Sequence, residues 1–425
     1  MMRLRRAALL AATLATAAAC QILVGIEDDR FTVATPDAGP DGDAPASPPD
    51  LCAHSRLPPP PGPSDAGTAR TYVFAVDSFE LPGRDASATP GFDLDRVCTC
   101  FDGGPTAHDA APSCTSRNET TACDEPGGVD NSLANLYRQF SALGAGVGVD
   151  VIGQIEAQQT ENINCGKQTG IFVLRDYNGT PNDDDVLLGP VISHGIRETL
   201  DGAPGAPGPG CGEELVEGGA LAPKHDGTDV WSHTRDTLQR SSTFDDPIPL
   251  VMLSGYVTNF RLVISYDDDQ HKLPVPFLRG TISVGTPIVT AELVPLNAQG
   301  ERIHLGPDGA PESPPHAFAL ENGVLGGRAQ ANDIVAAMGR MPFAHDPDGG
   351  SILGCTTALF PALRELTCGS VDIPSLARND FASRPCDAFS VMFQFHAGPA
   401  YLYGEHTYPD PDAASCPPDF GACPP

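Results

Sequence analysis

Phe389-Ser390-Val391-Met392-Phe393-Gln394-Phe395-His396 is the stretch whose reading decides the fold. Phe389, Val391, Phe393 and Phe395 alternate with Ser390, Met392, Gln394 and His396. Period two is the period of a strand, because successive side chains leave a pleated backbone on opposite faces. A polar alternate set predicts an antiparallel sheet with one face exposed.

The same alternation recurs upstream. Tyr72, Phe74 and Val76 alternate with Val73, Ala75 and Asp77, and Phe260, Leu262, Ile264 and Tyr266 with Arg261, Val263 and Ser265. Val289, Ala291 and Leu293 alternate with Thr290 and Glu292. The apolar runs 170–174 and 186–192 read as a hairpin around a polar loop. Helical spacing is rarer. Leu133, Leu136, Tyr137, Phe140 and Leu143 predict a helix capped by Asn131 or Ser132 and stopped at Gly144. A second helix holds Ile334, Val335 and Met338, and a third is expected over 352–360, broken by Pro361. No stretch shows the strand and helix rhythm of a parallel sheet, and no repeat is visible. The expected class is therefore mainly β, an antiparallel β-sandwich with a few helical insertions, rich in disulfides and preceded by a disordered linker.

Composition narrows the function classes. The 425 residues include 45 Gly and 43 Pro, with 55 acidic against 25 basic side chains and a net charge of -30. Phosphate binding needs clustered Lys and Arg, so a nucleic-acid partner is excluded. The chain begins with Arg3, Arg5 and Arg6, then an uncharged apolar run from Ala7 to Ala19, then Cys20. Thirteen residues are too few to span a bilayer, so residues 1–19 read as a cleaved signal peptide. Ala17-Ala18-Ala19 satisfies the small-x-small rule of ordinary signal peptidase, and Ala17-Ala18-Ala19-Cys20 is also similar to a bacterial lipobox, although Ala17 stands where lipoproteins usually carry Leu. That resemblance implies acylation of Cys20 and membrane attachment through the lipid, and Gln21 rather than Asp after it implies the outer membrane. Parity agrees: without Cys20 the 13 cysteines become an even set.

Residues 20–70 form the linker, with ten prolines between Pro36 and Pro63 and almost no large apolar residue to offset ordering entropy. Residues 71–405 form the β-rich body, large enough for one domain or two. Residues 406–425 are a Pro-rich tail that Cys416 and Cys423 would pin to the body. The Gly and Pro stretch 200–219 reads as a surface loop.

The cysteines available for bridges are Cys52, Cys98, Cys100, Cys114, Cys123, Cys165, Cys211, Cys355, Cys368, Cys386, Cys416 and Cys423. Paired C-x-x-C knuckles are missing from the first group, and an exported chain oxidises its thiols, so disulfides are expected over zinc. Their pairing is open. No organic cofactor is implied, and calcium is the one cofactor the acidic loops admit. The principal candidate is the hairpin loop carrying Asp176, Asn178, Asn182, Asp183, Asp184 and Asp185, a set of hard oxygen ligands that departs from an EF-hand at Pro181 and Leu187. The alternative for this loop is a hairpin turn built on Asn178-Gly179. Asp267-Asp268-Asp269 reads as another turn. Asp124 through Asn131 offers calcium ligands, or simply a helix cap at Asp130 or Asn131.

No H-E-x-x-H, G-x-S-x-G or complete P-loop is present; Gly166-Lys167-Gln168-Thr169 fails at Gln168. His396 reads as a surface histidine satisfied by neighbours, and Trp231, the single Trp, as core. With the lipobox, the acidic linker and the Cys-rich body, phrases such as Gly128-Val129-Asp130-Asn131 and Cys386-Asp387-Ala388 give the chain a further likeness. It resembles the uncharacterised surface lipoproteins of myxobacteria. The resemblance implies a cell-surface address and no activity or functional residue. The expected function is a non-catalytic, surface-exposed lipoprotein, ligand-binding or envelope-associated, with a glycan or a protein as its ligand. The alternative is an exported, glycoside-type hydrolase using a pair of carboxylates drawn from distant positions.

Overall fold

The computed structural model describes residues 57–63, 67–81, 91–96, 113–115, 124, 128–147, 150–193, 196–199, 223–234, 238–240, 247–266, 269–278, 280–307, 309–340, 354–380, 384–405, 416 and 419–423. The chain divides into two units, Met1–Pro48 and Pro49–Pro425, and every described residue belongs to the second. The signal peptide, Cys20, Cys52, Cys98, Cys100, Cys123, Cys211 and the 200–219 loop lie outside the described residues.

In chain order the strands are β1 (Arg70–Glu80), β2 (Thr169–Tyr177), β3 (Asp183–Ser193), β4 (Ile196–Thr199), β5 (Asp229–His233), β6 (Leu238–Arg240), β7 (Pro247–Pro249), β8 (Leu253–Thr258), β9 (Arg261–Ser265), β10 (Lys272–Phe277), β11 (Gly280–Leu296), β12 (Ala317–Gln330), β13 (Ala388–Pro399) and β14 (Tyr401–Glu405). Four helices accompany them: α1 (Ser132–Val147), α2 (Val151–Asn164), α3 (Ala331–Gly339) and α4 (Phe360–Gly369).

The molecule is mainly β, and its principal sheet is antiparallel throughout, in the order β10-β11-β12-β13-β1-β2-β3-β8-β9. The two halves of this β body are joined at their edges by one long strand. β11 pairs with β12 along one side, while its other side meets β10 over Gly280–Gly285 and β9 over Ile288–Glu292. The change of partner falls at Thr286-Pro287, where φ of Thr286 is 42° and Pro287 has no N–H to give a ladder. The β9–β11 pairing closes eight strands into a ring, and β10, paired with β11 alone, stays as the terminal strand of the sheet. An eight-stranded closure leaves an interior that side chains fill. Phe74, Phe172, Leu188, Leu262, Val289, Phe318, Phe393 and Phe395 are all buried in the one large core. Phe172 and Phe395 pack with ring centroids 5.2 Å apart, and Tyr177 meets Phe318 at 5.4 Å.

A second, smaller core lies on the other face of β1, β2 and β3. Ala75, Ile171, Val173 and Val191 point away from the main core and are covered by Trp231 and Ala400. Trp231 belongs to β5, the middle strand of a three-stranded sheet, β14-β5-β4. This outer layer explains why β1 and β2 are buried on both faces. β13 also departs from the half-exposed expectation. Ser390 and Met392 are as fully buried as Phe389 and Phe393, because Ser132 at the start of α1 meets Ser390 and the 91–92 segment lies against Met392, and only Gln394 and His396 keep partial exposure within the alternate set.

The helices correct three boundary readings. Asn131 caps α1, its Oδ1 accepting from Ala134 N at 3.1 Å, but the helix runs through Gly144 to Val147. α2 follows at once, capped by Asp150, whose Oδ1 accepts from Gly153 N at 2.9 Å. Its Gln and Asn content hid it from the periodicity. Pro361 stands in the first turn of α4 rather than ending a helix over 352–360, since its missing N–H is one the first turn never pairs. Gln159 and Asn162 of α2 are buried and bond the backbone of β10's far end: Asn162 Nδ2 donates to Leu278 O at 2.6 Å and Gln159 Oε1 accepts from Leu278 N at 3.0 Å.

Three disulfides join described residues. Cys114–Cys386 ties the stretch before α1 to the start of β13, and Cys355–Cys416 and Cys368–Cys423 hold the tail against the segment leading into α4 and α4 itself. Cys165 is disulfide-bonded as well.

Candidate functional site

Among the described residues, three metal-ligating side chains converge at one place, where Asp93, Asp95 and Asp130 each offer an oxygen within 4.8 Å of the others. The local sequence explains the convergence. With Asn131 serving as the cap of α1, the carboxylate of Asp130 is released to turn back on the 91–96 segment. Phe92 O accepts from Asp130 N at 3.0 Å, and Asp130 Oδ2 accepts from Leu94 N at 2.5 Å and Asp95 N at 3.2 Å. The bend at Leu94–Arg96 then places the carboxylates of Asp93 and Asp95 beside it.

Arg328 holds the segment from behind. Its side chain is buried, paired with Asp380 through Nη1 at 2.6 Å and Nη2 at 2.7 Å, and it donates to Leu94 O and Pro374 O at 3.0 Å each. A further carboxylate, Asp372, links α1 to β13. It accepts from Ser132 Oγ at 2.6 Å, from Ser390 N at 2.9 Å and from Ser390 Oγ.

The electrostatics follow from burial and like charge. Burial pushes the Asp130 carboxyl well above the usual carboxylate range, and Asp95, Asp124 and Asp372 push it the same way against the Leu94 hydrogen bond. Burial also raises Asp372, although the two serines favour its ionised form. The Asp93, Asp95 and Asp130 oxygens form an all-oxygen donor set, the chemistry that suits a hard cation such as calcium. Glycoside-hydrolase carboxyls stand about 5–9.5 Å apart with substrate between them. Oxygens within 4.8 Å, with Asp95 and Asp130 buried, do not offer that room.

The sequence-selected hairpin loop has a different internal chemistry. Asp183 Oδ2 accepts from Asn178 N at 2.8 Å and its Oδ1 from Asp185 N at 3.3 Å. Asn178 Oδ1 accepts from Thr180 N at 2.9 Å, and Asn182 Oδ1 accepts from Asn259 N at 3.0 Å. These oxygens build the β2–β3 turn, with Asp176 at φ 61° and Gly179 at φ 79° supplying left-handed corners. Asp184 and Asp185 point outward and are exposed. Asp269, from the second acidic run, accepts from Ala377 N at 2.8 Å and pairs with Arg378 at 3.2 Å. Asp93 and Asp95 were not selected by spacing, since 35 residues separate Asp95 from Asp130; the D-x-D alternation was their one local signal. Comparison with protein-family models, with curated proteins and with solved structures found no match.

Proposed function

We propose that the chain is an exported protein, acylated at Cys20 and carried at the cell envelope, that works as a non-catalytic binding module and recognises its ligand on the outside of the barrel. The observation that carries this reading is the packed interior. The cavity bounded by Val76, Phe172, Pro276, Leu325 and Phe395 measures about 20 Å³, space for a single water molecule. That cavity, among the described residues, has no room for a glycan or a protein segment, and we place the ligand on the outer face or the loops. The oxidised cysteines support the address, because structural disulfides persist in oxidising compartments.

Two measurements test the proposal. Cells expressing the chain, fed a palmitate analogue, are expected to label the wild-type protein and not Cys20→Ser; equal labelling overturns the anchor. The purified, disulfide-intact body is then incubated with soluble polysaccharides and with envelope protein extracts. Retention without new reducing ends supports a binding module, while steady release of reducing ends overturns it in favour of the hydrolase.

A further inference from the structure

His225 sits where the outer layer meets the barrel. It belongs to the segment 223–228 that leads into β5, and its ring centroid is 6.2 Å from that of Trp231. A Cβ added to Gly398, near the end of β13, would stand 3.7 Å from His225 O and 3.5 Å from Asp77 Oδ2. One added to Gly227 would stand 3.0 Å from the Pro399 ring, so the segment lies directly on the barrel wall. His225 Nε2 is buried there and has no hydrogen-bond partner among the described residues. The neighbouring acids are committed elsewhere. Asp229, at the head of β5, accepts from Lys224 N at 3.1 Å and His225 N at 2.7 Å, and Asp226 accepts from Thr228 N at 3.0 Å and from Thr228 Oγ1. Asp77 of β1 holds its two carboxylate oxygens 2.7 and 2.8 Å from Nδ1 of His396 on β13. The other titratable groups nearby, Lys224 and His396, add positive charge when protonated. A proton on Nε2 of the docked ring would thus be a buried charge without an acceptor, a state that desolvation penalises.

We propose that the outer layer, β14-β5-β4 with its leading segment 223–228, is a cover that the barrel releases on mild acidification, when His225 takes up a proton. Docked, the ring is neutral and packs beside Trp231. Released, Nε2 reaches water and holds a proton at little cost. Burial lowers the His225 pKa from its ordinary 6.5, with His396 acting the same way and Asp77, Asp229 and Asp226 opposing it. Linkage sets the direction. The docked cover binds fewer protons than the released one, so docking weakens as pH falls through 6.5 and levels off below the docked pKa, by up to about one decade per pH unit between the two. His396 has the opposite slope, because its hydrogen bond to Asp77 raises its pKa, and both Asp77 and Glu321 beside it belong to the barrel. The outer core holds six buried residues against the large core inside the ring, so the cover is the element that one proton can move. Release would bare Ala75 of β1, Ile171 and Val173 of β2 and Val191 of β3, an apolar strip on the outside of the barrel. This device does not depend on the binding role proposed above.

The test is hydrogen exchange with mass spectrometry on the disulfide-intact protein at pH 7.5 and pH 5.5, each amide's rate taken relative to the unfolded-chain rate at the same pH. In the wild type, β5 protection is expected to fall about three- to tenfold at the lower pH while β12 and β13 keep theirs. His225→Asn suits the left-handed φ of 53° and carries no charge at either pH, so its β5 protection should fall by less than about twofold. Unchanged β12 and β13 protection shows that the variant is folded. If Asn loosens β5 at both pH values, His225→Gln, closer to imidazole in size, gives the same reading. An acid response of wild-type size in both neutral variants overturns the proposal. So does an equal fall in β5, β12 and β13, no fall in wild-type β5, or a rise there, which would assign the response to His396.

Discussion

Replacing Trp231 by Ala should detach the outer layer of the molecule without unfolding the barrel. The reasoning rests on the unequal size of the two cores. The outer core contains six buried residues, Ala75, Ile171, Val173, Val191, Trp231 and Ala400, and Trp231 is much the largest of them. An indole of this kind buries about 200 Å², worth roughly 5 kcal/mol at about 25 cal/mol per Å². Measured Trp truncations cost about 3–5 kcal/mol. What then remains of the outer layer's packing is Ala400 with the partly buried Val73, Leu238 and Leu402, supported by Thr234 N donating to Ile192 O at 3.1 Å and Ser193 Oγ donating to Ser232 O. The interior aromatic core is on the other face of β1 and β2 and loses nothing. Hydrogen exchange with mass spectrometry on Trp231→Ala should show β5 amides accelerated by about 10²- to 10³-fold, one decade per 1.4 kcal/mol. Amides of β12 and β13 should stay within about threefold of wild type. Trp231→Phe should cost less than a simple loss of area implies, because it also removes an indole N–H that is buried without a partner. Equal acceleration in β5, β12 and β13, or none in β5, would refute the separation of the layers.

Asp130→Asn should raise the melting temperature at pH 7 in chelator by on the order of 2 °C, since it removes a charge that burial, Asp95, Asp124 and Asp372 all oppose. The sign follows from the raised native pKa: the ionised group costs stability above that pKa, and the cost is relieved as pH falls toward the ordinary carboxylate value near 3.9. The variant should therefore lose part of the wild type's gain on mild acidification. In calcium the order should reverse if the Asp93, Asp95 and Asp130 oxygens take up the ion, and identical wild-type melting curves in calcium and chelator would dismiss that use of them. Gly323→Ala should cost about 1–3 kcal/mol in urea denaturation. Its new Cβ would stand 2.6 Å from the Phe395 ring, and Phe395→Leu in the same chain should recover part of the loss. Strict additivity of the two would show that the ring is not the obstacle. Removing Cys114–Cys386, which closes a separation of 272 residues, should cost about 5 kcal/mol by loop entropy. A shift below about 1 kcal/mol would mean that other bridges already confine this loop.

Much of the architecture was legible because it is local. The alternation at Phe389 to His396, Tyr72 to Val76 and Phe260 to Tyr266 identified strands that do lie in one antiparallel sheet. The runs flanking Asn178-Gly179 are indeed a hairpin, β2 against β3. Misreadings arose where a partner overrides the pattern. Ser390 looked solvent-facing, but its hydroxyl and N–H serve the buried Asp372. Helix α2 carries too many Gln and Asn residues to look amphipathic, and two of them are buried because they satisfy the Leu278 backbone.

The candidate site was half visible. Asp130 and Asn131 stood out as alternative caps in a run that otherwise offered calcium ligands, and local geometry gives the cap to Asn131. Asp93, Asp95 and Asp372 had no comparable signal, since their proximity is created by chain segments more than 30 residues apart. By itself the sequence determined strand identity, the acidic surface and the supply of cysteines, which depend on side-chain period and composition. Closure of the ring by β9 on β11, the second core beneath Trp231 and the grouping of buried carboxylates were decided by tertiary structure alone. Hydrogen-bond ladders and Coulomb forces act between neighbours in space, and the order of residues along the chain does not specify those neighbours.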